Sequence, residues 1–266
     1  MVSNFKRLCT LLLAFPLMVF AAEETEKEKV IEFSMPDSVD EMVPHEKDVV
    51  SFIAVRANPE EMKKIVQNGK GLSNMKEVDQ MLKDNDYIGV LKSVWSEKDT
   101  KKKMAFLQAQ ANAGHPLFML ELGIENLKQT PTLENFISNA QPWLVSGIVR
   151  TQQDLECIDD PSAKTAVQAL MIGYYREIDP ILQGKYTQEE AEQFMQSHTS
   201  EMMENVNKKV NEVLDPSKSL PSAKWLSYHG LKAANGEPNM ISGDCDAARK
   251  EFAKRIIEGQ MSEKPE

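Results

Sequence analysis

Apolar residues recur every three to four positions along most of the chain, which is the spacing of amphipathic helices. After residues 187–190 one such stripe places six side chains on a single helical face: Ala191, Met195, His198, Met202, Val206 and Val210. Signals for strands, namely alternating apolar runs and Asn-Gly turns, are nearly absent. The pattern predicts an all-α fold, either an irregular bundle or a short solenoid of roughly eight to ten antiparallel helices.

Capping residues divide this pattern into separate helices. A polar cap followed by a proline or an acidic residue occurs at several places, each predicted to open a helix: Asn58-Pro59, Ser96-Glu97, Asp160-Pro161, Thr187-Gln188 and Asp244. Gly114 is expected to end the helix that opens at Ser96. Pro142 either begins a helix or kinks a longer one, because the residue before a proline avoids the helical conformation.

The N-terminal segment departs from the amphipathic pattern. Lys6 and Arg7 precede an apolar stretch over residues 8–20, and Ala21 stands just before an acidic run. These features are typical of a secretory signal peptide, and the stretch is shorter than a membrane span and is interrupted by Pro16. We therefore expect residues 1–21 to be a signal peptide, residues 22–45 a flexible acidic leader and residues 46–266 a helical domain. The mature protein is then periplasmic or secreted, with no integral membrane segment.

Charge and cysteine content narrow the classes of function. The chain has 31 Lys and Arg against 41 Asp and Glu, a net charge of −10 at pH 7, which argues against a nucleic-acid partner because phosphates require a basic surface. Cleavage after Ala21 would remove Cys9 and leave Cys157 and Cys245. In an oxidising compartment this pair is predicted to form a disulfide, the alternative being two buried free thiols.

Residues 109–123 contain an alanine-bearing helix end followed at once by a new helix. Gly114 and His115 mark the junction, and Leu122 and Gly123 follow eight and nine residues after the glycine. This spacing resembles the junction between two units of the Sel-like repeat, a relative of the tetratricopeptide repeat, although Phe118 stands where the family usually has a small residue. The resemblance covers about 20 of the 266 residues. It implies a helical solenoid that binds proteins or peptides on a concave face, without chemistry of its own.

Two groups of side chains are candidate binding sites. Thioether and imidazole are soft ligands suited to Cu(I), and three of them share one predicted helical face: Met195, His198 and Met202. A predicted disulfide could also gather an aromatic and acidic corner into a ligand pocket: Trp225, Tyr228, His229 and Asp244. Both groups have an alternative interpretation as ordinary core residues.

Motifs for a zinc site, a nucleophilic serine or a phosphate loop do not occur in the sequence. The leading hypothesis is therefore an exported helical protein that acts as a protein- or peptide-binding module without catalytic activity and without a cofactor. One alternative is a hydrolase with a pocket near His229 and Asp244. The other is a copper binder that uses Met195, His198 and Met202.

Overall fold

The computed structural model describes residues 59–262, apart from residues 176, 183, 219, 229–231, 233–234, 238–239 and 242. The predicted signal peptide, the acidic leader and residues 46–58 lie outside the described residues. The described part contains eleven α-helices of five or more residues: α1 (Pro59–Asn68), α2 (Met75–Lys83), α3 (Tyr87–Ser96), α4 (Thr100–Asn112), α5 (Pro116–Gln129), α6 (Gln141–Leu155), α7 (Pro161–Tyr175), α8 (Ile178–Leu182), α9 (Gln188–Ser197), α10 (Thr199–Leu214) and α11 (Cys245–Ser262). The described part also contains a helical turn at Leu133–Asn135, a π-helix at Phe136–Ala140 and a 3-10 helix at Ala223–Tyr228.

The all-α prediction is confirmed. Within the described residues, extended pairing is confined to isolated bridges, such as the antiparallel bridge between Ile158 and Met240. The helices form an irregular arrangement around a core that extends from Leu72 to Leu226. In the same residues, no helix is both long and apolar enough to cross a membrane.

The single helix predicted after residues 187–190 is in fact two helices, which is one reason why there are more helices than expected. The capping box at Thr187 and Glu190 forms as predicted, but α9 ends at Ser197 and α10 begins at Thr199. At the break, Ser197 Oγ donates to the carbonyl of Phe194 over 2.9 Å, and Thr199 Oγ1 donates to that of Met195 over 2.8 Å. Such side-chain bonds to the backbone compete with the helical ladder, and apolar periodicity does not reveal them.

The start of α4 also differs from the prediction. Its N-cap is Asp99, which accepts hydrogen bonds from the backbone of Lys101 and Lys102, whereas Ser96 is the last residue of α3. Glu97 accepts from the backbone N–H of Leu72 over 2.9 Å and from that of Asp99 over 3.0 Å. These bonds, together with Lys102, lower the pKa of Glu97 to about 2. Glu97 therefore ties the α1–α2 loop to the α3–α4 linker.

Helix α6 is the centre of the molecule. Nearly all of its residues are buried, with only Ile148 and Gln152 partly exposed. Its close approach to α5 depends on two glycines: a Cβ at Gly123 would lie 2.7 Å from Leu144 Cγ, and one at Gly147 would lie 2.8 Å from Leu120 Cγ. Pro142 stands at the beginning of α6, directly after the π-helix, so both sequence-based alternatives for Pro142 describe part of the structure.

A disulfide joins Cys157, which follows α6, to Cys245, the first residue of α11. The predicted pairing is confirmed. Beside it, the backbone N–H of Ile241 donates to the carbonyl of Cys157 over 2.8 Å. Asp244 caps α11 as predicted, accepting from the N–H of Ala247 over 3.1 Å. These contacts place α11 against the end of α6.

Candidate functional site

A cleft of about 430 Å³ opens beside the turn between α4 and α5. Its walls come from the end of α4 and the turn itself, from α6, and from the end of α10 with the segment that follows it. The volume lies within the usual range of ligand pockets. Apolar side chains make up part of the lining, among them Met119, Trp143 and Pro221, and Arg150 lies in the cleft wall contributed by α6.

The turn at Gly114 shapes one wall of the cleft. Gly114 has a φ of +92°, a left-handed conformation that favours glycine, and Pro116 starts α5 two residues later. A Cβ at Gly114 would lie 3.1 Å from Pro221 Cδ and 3.8 Å from Arg150 Nη2. Glycine at this position therefore lets the turn pack closely against Pro221 and the Arg150 guanidinium.

Behind the cleft lies a group of buried charged residues, Arg150, Asp154 and Arg249, which we call the arginine cluster. Each of the three is only 1 % exposed. Asp154 Oδ1 lies 2.7 Å from Arg249 Nη2, and Asp154 Oδ2 accepts from Trp225 Nε1 over 2.9 Å. Gln153 Nε2 donates to the carbonyl of Arg249 over 2.7 Å. Burial raises the pKa of Asp154, while the two guanidiniums and the Trp225 hydrogen bond act in the opposite direction.

Arg150 has the least complete set of partners in the arginine cluster. Its Nη1 donates to Gln153 Oε1 over 2.8 Å, and its Nε lies 3.8 Å from Asp154 Oδ1 without forming a hydrogen bond. Its buried Nη2 has no hydrogen-bond partner among the residues that the structure describes. Burial lowers the pKa of Arg150 to about 10, so the side chain remains cationic at neutral pH. A buried cation with an unused donor is costly unless a partner is supplied.

Charged residues at the rim of the cleft are paired with one another. Glu212 Oε2 accepts from Lys209 Nζ over 2.7 Å, and Glu212 Oε1 lies 3.8 Å from Lys218 Nζ. The Lys209 hydrogen bond is the main reason that the pKa of Glu212 is lowered. Lys209 Nζ also lies 4.3 Å from the ring centroid of Trp143. One carboxylate and two ammonium groups therefore surround the opening.

His115 lies at the other end of the same turn. Its ring centroid is 5.3 Å from that of Tyr87 and 5.8 Å from that of Phe118. Burial, together with the nearby charge of Arg150, lowers the pKa of His115 to about 4. His115 is therefore neutral at pH 7 and adds no positive charge to the cleft.

The predicted copper ligands are not stacked on one continuous helix, because the helix breaks at His198. Met195 and Met202 are core residues, each 7 % exposed. The His198 ring stacks on Phe194 with centroids 4.0 Å apart, and its Nδ1 lies 2.9 Å from the Phe194 carbonyl oxygen. In the described part of the chain, no group of three or more His, Cys, Asp or Glu residues is placed to hold a metal ion. Copper binding stays a prediction.

The structure describes the contacts of two residues of the predicted aromatic and acidic pocket, Trp225 and Asp244. Trp225 is buried and donates to Asp154, so it belongs beside the arginine cluster. Asp244 is exposed and caps α11. Tyr228 ends the 3-10 helix, and His229 lies outside the described residues. The hydrolase alternative near His229 and Asp244 therefore stays untested.

The sequence interpretation missed the arginine cluster. Arg150 and Asp154 have the i, i+4 spacing of a helical ion pair, but such pairs are usually solvent-exposed. Burial of this pair depends on Trp225 and Arg249, which lie far away along the chain. Between the two positions the sequence reads Thr151-Gln152-Gln153, which is polar and gives no signal of burial.

Comparison with known proteins leaves the family of this chain open. No protein-family model matches it, and neither the curated proteins nor the solved structures contain a match.

Proposed function

We propose that the chain is a binding module without catalytic activity, which takes a short peptide segment of another protein into the cleft beside Gly114. The observation that carries the proposal is the cleft itself: about 430 Å³ in volume, partly apolar, and bordered by a buried guanidinium whose Nη2 has no hydrogen-bond partner in the described part of the chain. Binding sites combine apolar walls with a few placed polar groups in this way.

The construction of the walls supports the same proposal. Two close-packed helices, α5 and α6, and the glycine turn before them form a rigid frame, and rigid frames reduce the entropy lost on binding. The resemblance of residues 109–123 to a Sel-like repeat junction also points to a protein or peptide partner. The proposal uses this resemblance as a local likeness and does not assign the chain to that family.

A cleft-filling substitution tests the proposal. Ala113 is exposed and lines the cleft at the end of α4, whereas Ala105 is exposed on the same helix and does not line it. Ala113→Phe should abolish the enrichment of peptides from a displayed random library, and the matched control Ala105→Phe should leave that enrichment unchanged. Equal enrichment by both variants, with both folded by circular dichroism, would place binding elsewhere and refute the proposal.

We further propose that the protein acts outside the cytoplasm after removal of residues 1–21. The Cys157–Cys245 disulfide supports this location, because such bonds persist in oxidising compartments. Mass spectrometry of protein from the native host should find a chain that begins at residue 22 and carries an oxidised cysteine pair. A full-length chain with two free thiols would contradict the proposal.

A further inference from the structure

We propose that the cleft recognises a carboxylate group of its peptide ligand, and that Arg150 is the residue that binds it. This inference rests on the proposed function, because it names the chemical group by which the peptide is selected. The guanidinium of Arg150 carries a positive charge at the wall of the cleft, and the acidic residues around it pair this charge only in part.

The charged groups that face Arg150 come from α6, from α11 and from the turn before α5. Asp154 lies between the two arginines but makes its close contact, 2.7 Å, with Arg249. Asp246, on α11, lies 3.2 Å from Arg249 Nη1 and is 64 % exposed. Both acids are thus shared with Arg249 or directed towards it. His115 is neutral at pH 7, so one guanidinium in the arginine cluster lacks a close carboxylate of its own.

The unpaired donor of Arg150 lies next to a residue of the cleft wall. Nη1 is already used by Gln153, whereas Nη2 lies beside Gly114, at 3.8 Å from the position a Cβ would occupy. Gly114, Arg150 and Pro221 all line the cleft. Because Pro221 Cδ would lie only 3.1 Å from a Cβ at Gly114, a ligand carboxylate reaches Nη2 by displacing the Pro221 ring. A guanidinium that donates to a carboxylate forms a short, charge-assisted hydrogen bond, which is among the stronger polar contacts in proteins.

The charge at the rim favours a singly charged ligand. Glu212 is balanced by Lys209 and Lys218, which leaves one positive charge in excess at the opening. Together with Arg150, this is enough to hold one carboxylate. A doubly charged phosphate would share the cleft with Glu212 and would find fewer cations than such groups usually do. The local excess of positive charge is notable in a chain whose net charge is −10.

Either the C-terminus of a peptide or an Asp or Glu side chain can supply the carboxylate, and synthetic peptide pools distinguish the two. The probes are short N-acetylated pools without Asp or Glu: one with a free carboxyl end, one amidated, and one amidated with a central glutamate. Calorimetric titration at low salt should show a carboxylate-bearing pool binding about tenfold or more tightly than the neutral amidated pool, as one charge-assisted hydrogen bond implies. The tighter of the two carboxylate pools identifies the source.

Arg150→Met should remove this preference for carboxylates. Because the substitution also leaves Gln153 without its donor, it can prevent folding, and Arg150→Lys is the second variant. Lysine keeps the charge but cannot reproduce the planar fork, so the preference should fall several-fold. Lys218→Met at the rim should weaken binding of the carboxylate pools about two- to fivefold, and Lys164→Met, an exposed lysine outside the cleft lining, should change nothing.

The outcomes separate this inference from the proposed function. Equal affinity for the neutral and carboxylate pools, still abolished by Ala113→Phe, overturns carboxylate recognition and leaves peptide binding intact. An undiminished carboxylate preference in a folded Arg150→Met or Arg150→Lys variant also overturns the inference. Tighter binding of inorganic phosphate than of the carboxylate pools overturns the choice of anion. If no pool binds at millimolar concentration, both proposals fail.

Discussion

Replacing Asp154 with asparagine removes the negative charge of the arginine cluster while nearly preserving the size of the side chain. In the native protein this carboxylate has Arg249 Nη2 at 2.7 Å, Trp225 Nε1 at 2.9 Å and Arg150 Nε at 3.8 Å. Asparagine can still accept from Trp225 with its oxygen. Its amide group then points a donor at Arg249, so that two buried guanidiniums are left without a carboxylate between them.

The burial of Asp154 sets the size of the expected loss of stability. Removing one partner of a buried ion pair costs about 3–5 kcal/mol, because the remaining charge stays desolvated. Typical domains are stable by only about 5–15 kcal/mol, so Asp154→Asn should lose a large share of the total stability. With a urea dependence of about 2–3 kcal/mol per molar, the midpoint of unfolding should fall by about 1–2 M.

The assay is equilibrium urea unfolding at pH 7, followed by circular dichroism with the disulfide oxidised. The matched control is Asp159→Asn, which breaks the ion pair with Lys232 between side chains that are 49 % and 38 % exposed. Exposed pairs contribute about 1 kcal/mol or less, so the control should stay close to the wild type. A loss below about 1 kcal/mol for Asp154→Asn, or one equal to the control, would refute the reasoning that Asp154 neutralises buried charge.

Three other predictions concern pH and helix packing. Glu97→Gln should lower the free energy of unfolding by about 1 kcal/mol at pH 7. Because the folded pKa of Glu97 is about 2 against an ordinary 4.5, the difference in stability between variant and wild type should vanish in urea titrations as the pH falls from about 4.5 towards 2. Equal stabilities at pH 7 would contradict this prediction. Folding lowers the pKa of His115 from 6.5 to about 4, so the melting temperature should fall as the pH is lowered from 6.5 to 4. His115→Asn should reduce this dependence of the melting temperature on pH. An unchanged dependence in the variant would count against burial of the ring. Gly123→Ala should lower the free energy of unfolding by about 1–3 kcal/mol, because its Cβ would meet Leu144 at 2.7 Å. The control Gly173→Ala, whose Cβ would have nothing within 4 Å, should be neutral or up to about 1 kcal/mol more stable. Similar losses of stability for both variants would show that α5 and α6 can move apart.

Several local features of the fold are predictable from short stretches of sequence. The capping box at Thr187, the cap at Asp244 and the turn at Gly114 each depend on a few neighbouring residues, so their signals are present in the linear chain. The break at His198 is different. Side-chain bonds from Ser197 and Thr199 to carbonyls of the preceding turn accompany it, yet the apolar stripe runs through it without interruption, which is why a continuous helix is the natural interpretation.

The cleft could not be predicted in the same way. Its lining comes from α4, the turn at Gly114, α5, α6, α10 and the segment after α10, and no motif marks these positions as neighbours. Arg150 resembles an ordinary surface residue of an amphipathic helix. Only the packing of α5, α10 and α11 around α6 shows that it is buried.

The helical class, many helix boundaries and the pairing of Cys157 with Cys245 are predictable from the amino-acid sequence, because capping, periodicity and cysteine number are local or countable properties. In contrast, the meeting of Arg150, Asp154 and Arg249 in the interior, and the position of one guanidinium at the wall of a cleft, depend on the packing of distant helices. The physical reason is that burial and charge pairing depend on side chains from distant segments. The same charged residue is inexpensive in water and costly in the interior, and only the fold specifies which environment it occupies.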